Sequence, residues 1–310
     1  MATVLITGGT GLVGNRLTDL LIEKGYHVIV FTRNKKLRNN NSTSNLSYAT
    51  WNPAKANIDI AAVQEADYII NLAGAGIADK RWTAKRKAII AESRIKSGEL
   101  IVKTLKENAN KVKAVINASA MGWYGDDSLL KKEIHAFTEN MPAAPGFLGE
   151  TCKAWEESIE PVTAIEKRLV KIRTGLVLST KGGALREFAR PVRFGIAGIL
   201  GGGKQMQSWI HIDDLCRIYI HAIENEQLHG AYNAAAPNPV DNKTLVVELA
   251  KKMKGSFYIT VFVPSFILKW MLGEMSTELL KGITLDADKI RATGFQFLFP
   301  SVEAALNDLV

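Results

Sequence analysis

Apolar residues along this chain switch between two spacings, and the switching predicts an architecture. Ala2–Thr7 is a short apolar, β-branched run, read as a buried strand. It stops at Gly8-Gly9-Thr10-Gly11-Leu12-Val13-Gly14, after which Leu17, Leu20 and Leu21 recur at helical spacing. Val28–Phe31 is a second apolar run, ending in Thr32-Arg33. Leu46–Trp51 and Asp67–Leu72 read as a third and a fourth strand, the latter running into Ala73-Gly74-Ala75-Gly76. Thr83 to Asn108 carries helical periodicity through Ile89, Ile90, Ile95, Leu100, Ile101 and Leu105. Ala114–Ser119 and Val170–Leu178 read as a fifth and a sixth strand. Strands alternating with helices predict parallel pairing through right-handed crossovers, hence an α/β fold with a doubly wound sheet. Beyond Leu178 the pattern changes to glycine-rich turns, short apolar runs and Pro237, Pro239 and Pro264. Residues 1–178 are expected to form the main domain. Residues 179–310 are expected to form a smaller, mixed α/β C-terminal substrate lobe. With no clear linker between them, the two share a core, and core strands continue into the later chain. Asn39–Asn45 is the one low-complexity patch and reads as an exposed loop.

The first turn carries chemistry. A strand entering a helix directly aims the unpaired N–H groups of the first helical turn, and the positive end of the helix dipole, at whatever lies above. That suits a pyrophosphate. Gly8 permits the tight reversal, Gly11 the close approach of phosphate, and Gly14 the packing of helix on strand. Gly9, Gly11 and Gly14 satisfy G-x-G-x-x-G between a strand and a helix, the Rossmann-type arrangement. Thr10, Leu12 and Val13 belong to the same turn. At the end of the second strand no acid follows to accept from a ribose 2′-OH. Thr32, Arg33, Asn34, Lys35 and Lys36 stand there instead. A guanidinium can hold a 2′-phosphate through two bonds, so Thr32 and Arg33 predict NADP(H) rather than NAD.

Length and composition narrow the field further. The chain has 310 residues and a formal net charge of +8. Its basic residues are dispersed, among them Arg38, Lys80, Lys85, Lys111, Lys131 and Lys251, and no nucleic-acid motif accompanies them. Most are read as solvated faces, so neither nucleic acid nor membrane is an expected partner; a small molecule is. No apolar run reaches membrane-spanning length. Two cysteines, Cys152 and Cys216, are too few for a disulfide framework. A first strand beginning beside Met1 leaves no signal-peptide pattern, which points to the cytoplasm. Spacings of the C-x-x-C or H-E-x-x-H type are absent, so no metal site is expected.

The chain resembles the extended short-chain dehydrogenase/reductases, and within them an atypical subgroup known as epimerase family proteins, or nucleoside-diphosphate-sugar epimerase-like proteins. The resemblance rests on Thr7–Gly14 and Asn71-Leu72-Ala73-Gly74. It continues through Arg81-Trp82-Thr83 with Ser93-Arg94, and Ser119-Ala120-Met121-Gly122-Trp123-Tyr124-Gly125. Trp155-Glu156, Arg173-Thr174-Gly175, Trp209–Asp214, Gly230–Asn233 and Gly294-Phe295 extend it. It implies that Leu72, Ala73 and Gly74 line the adenosine and ribose, and that Arg94 reaches the cofactor phosphates. It also implies that Thr174, Gly175 and Leu176 sit beside the nicotinamide.

The resemblance further implies a Ser/Thr, a Tyr and a Lys for catalysis, the last two spaced Y-x-x-x-K. Here Lys153 fits the lysine position, but Gly149 stands four residues before it. Ala120 takes the serine position, with Ser119 one residue early. Tyr124, Ser119 and Lys153 are therefore the candidate catalytic residues, with Glu150 and Cys152 behind them. Two functions stay open. One is an NADP-dependent oxidoreductase or epimerase acting on a small hydroxyl, keto or nucleotide-sugar substrate. The other is a non-catalytic NADPH-binding regulator or sensor. Five of the six tryptophans (Trp51, Trp82, Trp123, Trp155 and Trp209) fall in or beside these motifs. They predict an aromatic-walled pocket in which Arg81, Trp82, Trp123 and Trp209 meet substrate, or else an inter-lobe core. Near His211, Asp213 or Asp214 is expected to cap a helix starting at about Leu215.

Overall fold

A computed structural model describes residues 1–34 and 44–310. Lys35, Lys36, Arg38 and positions 39–43 of the predicted loop lie outside the described residues. The strands are β1 (Thr3–Thr7), β2 (His27–Thr32), β3 (Leu46–Asn52), β4 (Asn57–Ile58), β5 (Tyr68–Asn71), β6 (Ala114–Ala120) and β7 (Arg168–Thr174). They continue as β8 (Leu176–Leu178), β9 (Ile196–Leu200), β10 (Met206–Gln207), β11 (Trp209–His211), β12 (Gly230–Ala234), β13 (Val240–Asp241) and β14 (Ile259–Val263). The helices are α1 (Leu12–Glu23), α2 (Ile60–Glu65), α3 (Ala84–Glu107), α4 (Phe147–Ile159), α5 (Gly183–Val192) and α6 (Ile212–Glu224). They continue as α7 (Asn242–Lys254), α8 (Ser265–Leu272), α9 (Met275–Leu279), α10 (Asp288–Ala292) and α11 (Val302–Leu309).

Eight strands form the main sheet in the order β12-β7-β6-β5-β1-β2-β3-β4. All neighbours are parallel except β3 and β4. The chain winds outward from β1 to β3, then crosses back to place β5 on the other side of β1. That reversal opens a crevice beyond the carboxyl ends of β1 and β5, where α/β sheets bind ligands. The sheet is a doubly wound, Rossmann-type sheet covered on both faces. Val4 and Ile6 of β1 face one core with Leu17 and Leu21 of α1 and Leu215, Ile218 and Tyr219 of α6. Leu5 faces the other with Ile69, Val115, Leu100, Ile101 and Leu105. Period-two alternation in the strands meets helical stripes on each side. Each of these side chains is buried, a contribution of about 1.5–3 kcal/mol.

Two expectations are corrected. Val170–Leu178 is not one strand. It breaks at Gly175, where a Cβ would overlap the Ser208 carbonyl oxygen. Leu176 N–H donates to that carbonyl at 2.7 Å, so β8 leaves the main sheet and pairs in parallel with β11. The helix expected from Leu215 starts at Ile212, and its cap is His211, whose Nδ1 accepts from Asp213 N–H at 3.1 Å. Both aspartates sit inside the first turn, with helical backbone, and work elsewhere. Asp213 takes Arg16 of α1 through two bonds of 2.7 and 2.8 Å. Asp214 is fully buried and accepts from Leu298 N–H and Phe299 N–H, both at 2.9 Å. α1, α6 and the C-terminal segment are thereby fastened together.

After β8 the chain builds short paired strands packed by α5, α7 and α11 around Leu178, Trp209, Leu245 and Leu249. β12 then returns to the edge of the main sheet beside β7.

Candidate functional site

The crevice is assembled by side chains that tie the strand ends together. Thr7 donates its hydroxyl to Asn71 Oδ1 at 2.6 Å and accepts from Ala73 N–H at 3.1 Å. Asn71 passes the link to Asn117 on β6 at 2.6 Å, and Ser97 of α3 donates to Asn71 Oδ1 at 2.6 Å. These groups are fully buried. Gly8 has φ +68°, and a Cβ there would lie 2.7 Å from the Leu72 carbonyl oxygen. At Gly14 a Cβ would overlap the Gly8 carbonyl and meet Gly9 Cα at 2.6 Å. Only glycine lets the turn, the strand end after β5 and α1 approach this closely.

Gly11 is the N-cap of α1 and no side chain caps the helix. Thr10 and Gly11 are exposed, and Leu12 and Val13 are half-buried. The first-turn N–H groups therefore form an uncapped, positively polarised end at the sheet's switch point. Thr32 is buried and accepts from Asn34 N–H at 3.0 Å, whereas Arg33 is exposed at the tip of β2. Arg94 stands on α3 opposite the turn after β5. Its Nη1 donates to the carbonyls of Ala75 and Ile90 at 3.0 and 2.9 Å, and its guanidinium lies 5.0 Å over the Trp155 ring. Burial lowers the Arg94 pKa, and no carboxylate of the described residues pairs with it. Trp155 Nε1 beside it is buried without an acceptor among the described residues. A half-buried guanidinium with no counter-charge among the described residues, an orphaned indole N–H beside it and an uncapped helix end at the switch point of the sheet fit an anionic ligand with several oxygens.

The catalytic candidates form a different picture. Ser119 donates to Glu156 Oε1 at 2.7 Å. Arg173 grips the same carboxylate with Nε at 2.8 Å and Nη2 at 3.1 Å. Arg173 Nη1 donates to Tyr124 Oη at 2.9 Å and to the Glu139 carbonyl at 3.0 Å. Tyr124 donates to Asn233 Oδ1 at 2.8 Å, and Asn233 donates in turn to the Phe137 and Asp286 carbonyls at 3.0 Å. The Arg173 guanidinium lies 3.7 Å over Trp123. Strands β6, β7 and β12, helix α4 and the chain after β6 are thus joined by one buried polar network. Burial pushes the Tyr124 pKa up to about 12, against the lowering effect of Arg173. A phenol so placed keeps its proton at neutral pH.

Lys153 does not join Tyr124 and Ser119. Its side chain points to solvent, 3.8 Å from Glu157. Gly149 is filled from outside: a Cβ there would overlap the Ala144 carbonyl oxygen, and Ala144 is held by a 2.8 Å bond to the Trp123 carbonyl. The local backbone has no room for a tyrosine. Glu150 is exposed and accepts from Gly146 N–H at 3.3 Å. Burial raises the Cys152 thiol to about 12, which keeps it protonated.

The tryptophans do not form one wall. Trp209 is fully buried in the C-terminal core and donates to the Asn238 carbonyl at 3.0 Å. Trp51 stacks on Phe31 at 5.3 Å within the core on the α3 face. Trp82 is buried edge-on to Phe147 at 4.9 Å and donates to the Ile77 carbonyl. Arg81 meets the backbone at Gly273, and Lys87 pairs with Glu274 at 2.9 Å, so the loop after β5 touches the segment between α8 and α9. Sequence reasoning gave Glu156, Arg173 and Asn233 no role. A signal was present: Arg173 interrupts an apolar run, and Glu156 shares a helical face with Cys152 and Ile159. Among the described residues no group of three or more His, Cys, Asp and Glu could hold a metal, and no helix is long and apolar enough to cross a membrane.

Residues 4–147 match the NAD dependent epimerase/dehydratase family, and residues 263–309 match a domain of unknown function, DUF1731. An epimerase family protein of Staphylococcus aureus is 35% identical over 100% of this chain and 99% of its own length. The solved structure of human epimerase family protein SDR39U1 with NADPH superposes with a TM-score of 0.84 at 27% identity, covering 99% of this chain and 98% of that one. A nucleoside-diphosphate sugar epimerase from Corynebacterium glutamicum gives 0.76 at 28% identity, covering 99% of this chain and 58% of that one.

Proposed function

The chain belongs to the epimerase family, and on that premise we propose that it binds NADP(H) across the β1/β5 crevice and acts on a small hydroxyl, keto or nucleotide-sugar substrate. One observation carries the cofactor reading: the uncapped end of α1 lies at a crevice where Arg94 is half-buried with no carboxylate partner among the described residues. Gly8, Thr10, Gly11, Leu12, Val13 and Gly14 hold the pyrophosphate through backbone N–H groups, with Arg94 adding charge. Leu72, Ala73 and Gly74 border the adenosine. Thr32 and Arg33 receive the 2′-phosphate, a reading supported by the NADPH named for the human relative. Thr174, Gly175 and Leu176, where β7 ends and the chain turns to β8, border the nicotinamide. The nicotinamide supplies or takes up hydride when bound.

This chain's own proton-transfer groups are of an unusual kind. Tyr124 and Ser119 hold their protons within the Glu156–Arg173 network, and Lys153 lies outside it. That commitment favours a second reading, a non-catalytic NADPH-binding regulator.

Titration with NADPH and NADH tests the cofactor reading: NADPH is expected to bind at least about tenfold more tightly, and equal affinity would remove the role given to Arg33. Following the NADPH absorbance against a panel of carbonyls and nucleotide sugars separates the two readings. Turnover supports the enzyme, and tight NADPH binding without turnover by any compound supports the regulator.

A further inference from the structure

The C-terminal lobe carries a surface that neither the cofactor nor the substrate cleft explains. β9 and β14 pair in parallel, with Ile259 opposite Ile196, Val261 opposite Gly198 and Val263 opposite Leu200. Residues paired this way share a face. Ala197 and Ile199 of β9 are buried against Val246 and Ala250, whereas β14 is exposed on both faces, Phe262 to 51%; the ribbon face opposite Ala197 and Ile199 reads Ile196, Gly198, Leu200, Ile259, Val261, Val263. It holds no polar side chain, whereas a strand with one wet face ordinarily alternates. Ile259 is 65% exposed and Val261 41%.

The surface extends beyond the ribbon at both ends. At one end the turns at Phe194 and Phe257 lie side by side, with Ile259 N–H donating to the Gly195 carbonyl at 2.9 Å. At the other, Pro264 leads straight into α8, where Phe266 and the sixth tryptophan, Trp270, stand four residues apart on one exposed helical face. Phe194, Phe257, Phe266 and Trp270 are each 72% to 86% exposed. At about 150–250 Å² per aromatic side chain they alone present on the order of 500 Å², more than scattered surface hydrophobics provide.

Charge identifies the occupant. From Lys251 to Gly273 the chain has four lysines and no acid. Lys254 adjoins the Phe257 turn, Arg193 adjoins Phe194 and Lys269 adjoins Trp270. Among the described residues none of these three has a carboxylate partner, although Lys251 has Glu248. The sequence assigns such residues to solvated faces; the structure gathers these beside protruding aromatics. A second copy docked on the same patch about a twofold axis would oppose one basic rim with another. We propose that this surface rests on an anionic lipid bilayer, with Phe194, Phe257, Phe266 and Trp270 entering the headgroup region and Arg193, Lys254 and Lys269 meeting lipid phosphates.

Flotation of the full chain with vesicles tests this. The protein is expected to float with vesicles containing phosphatidylglycerol, and to do so at least about tenfold less with phosphatidylcholine alone or at high salt. F266S/W270S and K254E/K269E should each lower binding at least about tenfold. Phe266, Trp270 and Lys269 are exposed and Lys254 is half-buried at the surface, so far-ultraviolet circular dichroism and thermal melting should match wild type. If either pair melts early, F194S offers the same readout from the other end of the patch. No binding to anionic vesicles, or binding that all three variants leave unchanged, overturns the proposal. So does a stable dimer in light scattering that F266S/W270S converts to monomer, which would assign the patch to a second copy.

Discussion

The carboxyl edge of the main sheet has two ends built on opposite principles. At the β1/β5 end, hydrogen-bonding capacity is left open. Among the described residues α1 has no side-chain cap, Trp155 Nε1 has no acceptor, and Arg94 has no carboxylate. At the β6/β7/β12 end, capacity is closed. Ser119, Glu156, Arg173, Tyr124 and Asn233 satisfy one another within a buried network. Leaving polar groups open in a protein interior is costly, so open donors at a crevice point to a ligand. Closed networks at the same edge point to architecture. The family resemblance treats both ends as one catalytic apparatus; their physics separates them.

The sharpest way to break the closed end is Glu156→Gln. It leaves Arg173 buried without its counter-charge, both side chains being 4% exposed. Urea unfolding should show a loss of about 3–5 kcal/mol. A loss under about 1 kcal/mol would mean the network is not what joins β7 to α4. Gly14→Ala attacks the open end. Its methyl group overlaps the Gly8 carbonyl and spreads the turn, costing about 1–3 kcal/mol. NADPH affinity measured by fluorescence should fall in step, and unaltered affinity would place the phosphates elsewhere.

Tyr124→Phe has a smaller expected effect and a pH signature. Loss of its bonds to Asn233 and Arg173 should cost about 1–2 kcal/mol while leaving NADPH affinity as in wild type. The folded-state pKa, raised to about 12, exceeds the ordinary tyrosine value of 10. The unfolded chain therefore releases this proton first, and stability falls as pH rises from 10 towards 12. The phenylalanine variant should lose that part of the alkaline slope. A variant with the wild-type slope would assign the proton release to other groups, such as Tyr219.

How much of this was legible in the sequence follows the same division. The open end is local. Gly8 to Gly14, the apolar runs on either side and the helical periodicity from Thr83 to Asn108 are short-range signals, and they place β1, α1, β2 and α3 within a residue or two. The closed end joins residues far apart in the chain: Tyr124 meets Asn233, and β8 abandons the main sheet for β11. Periodicity predicts that a segment is extended, not which partner receives it, so the break at Gly175 was invisible. Tryptophan spacing likewise records size and apolarity but not direction. Trp51 and Trp209 therefore read equally as cleft walls or as one inter-lobe core, and they pack in two separate cores. His211 took the capping role from two aspartates because the helix begins earlier than its apolar stripe.

If the donors left open at the β1/β5 end hold the cofactor, removing one of them must weaken its binding. Calorimetric titration of NADPH into wild type and Arg94→Leu measures this. One saturable site is expected in the wild-type protein, with at least about tenfold weaker binding in the variant, the value of a lost charge-assisted bond. Equal affinity in the two proteins, or no binding by wild type, would contradict it.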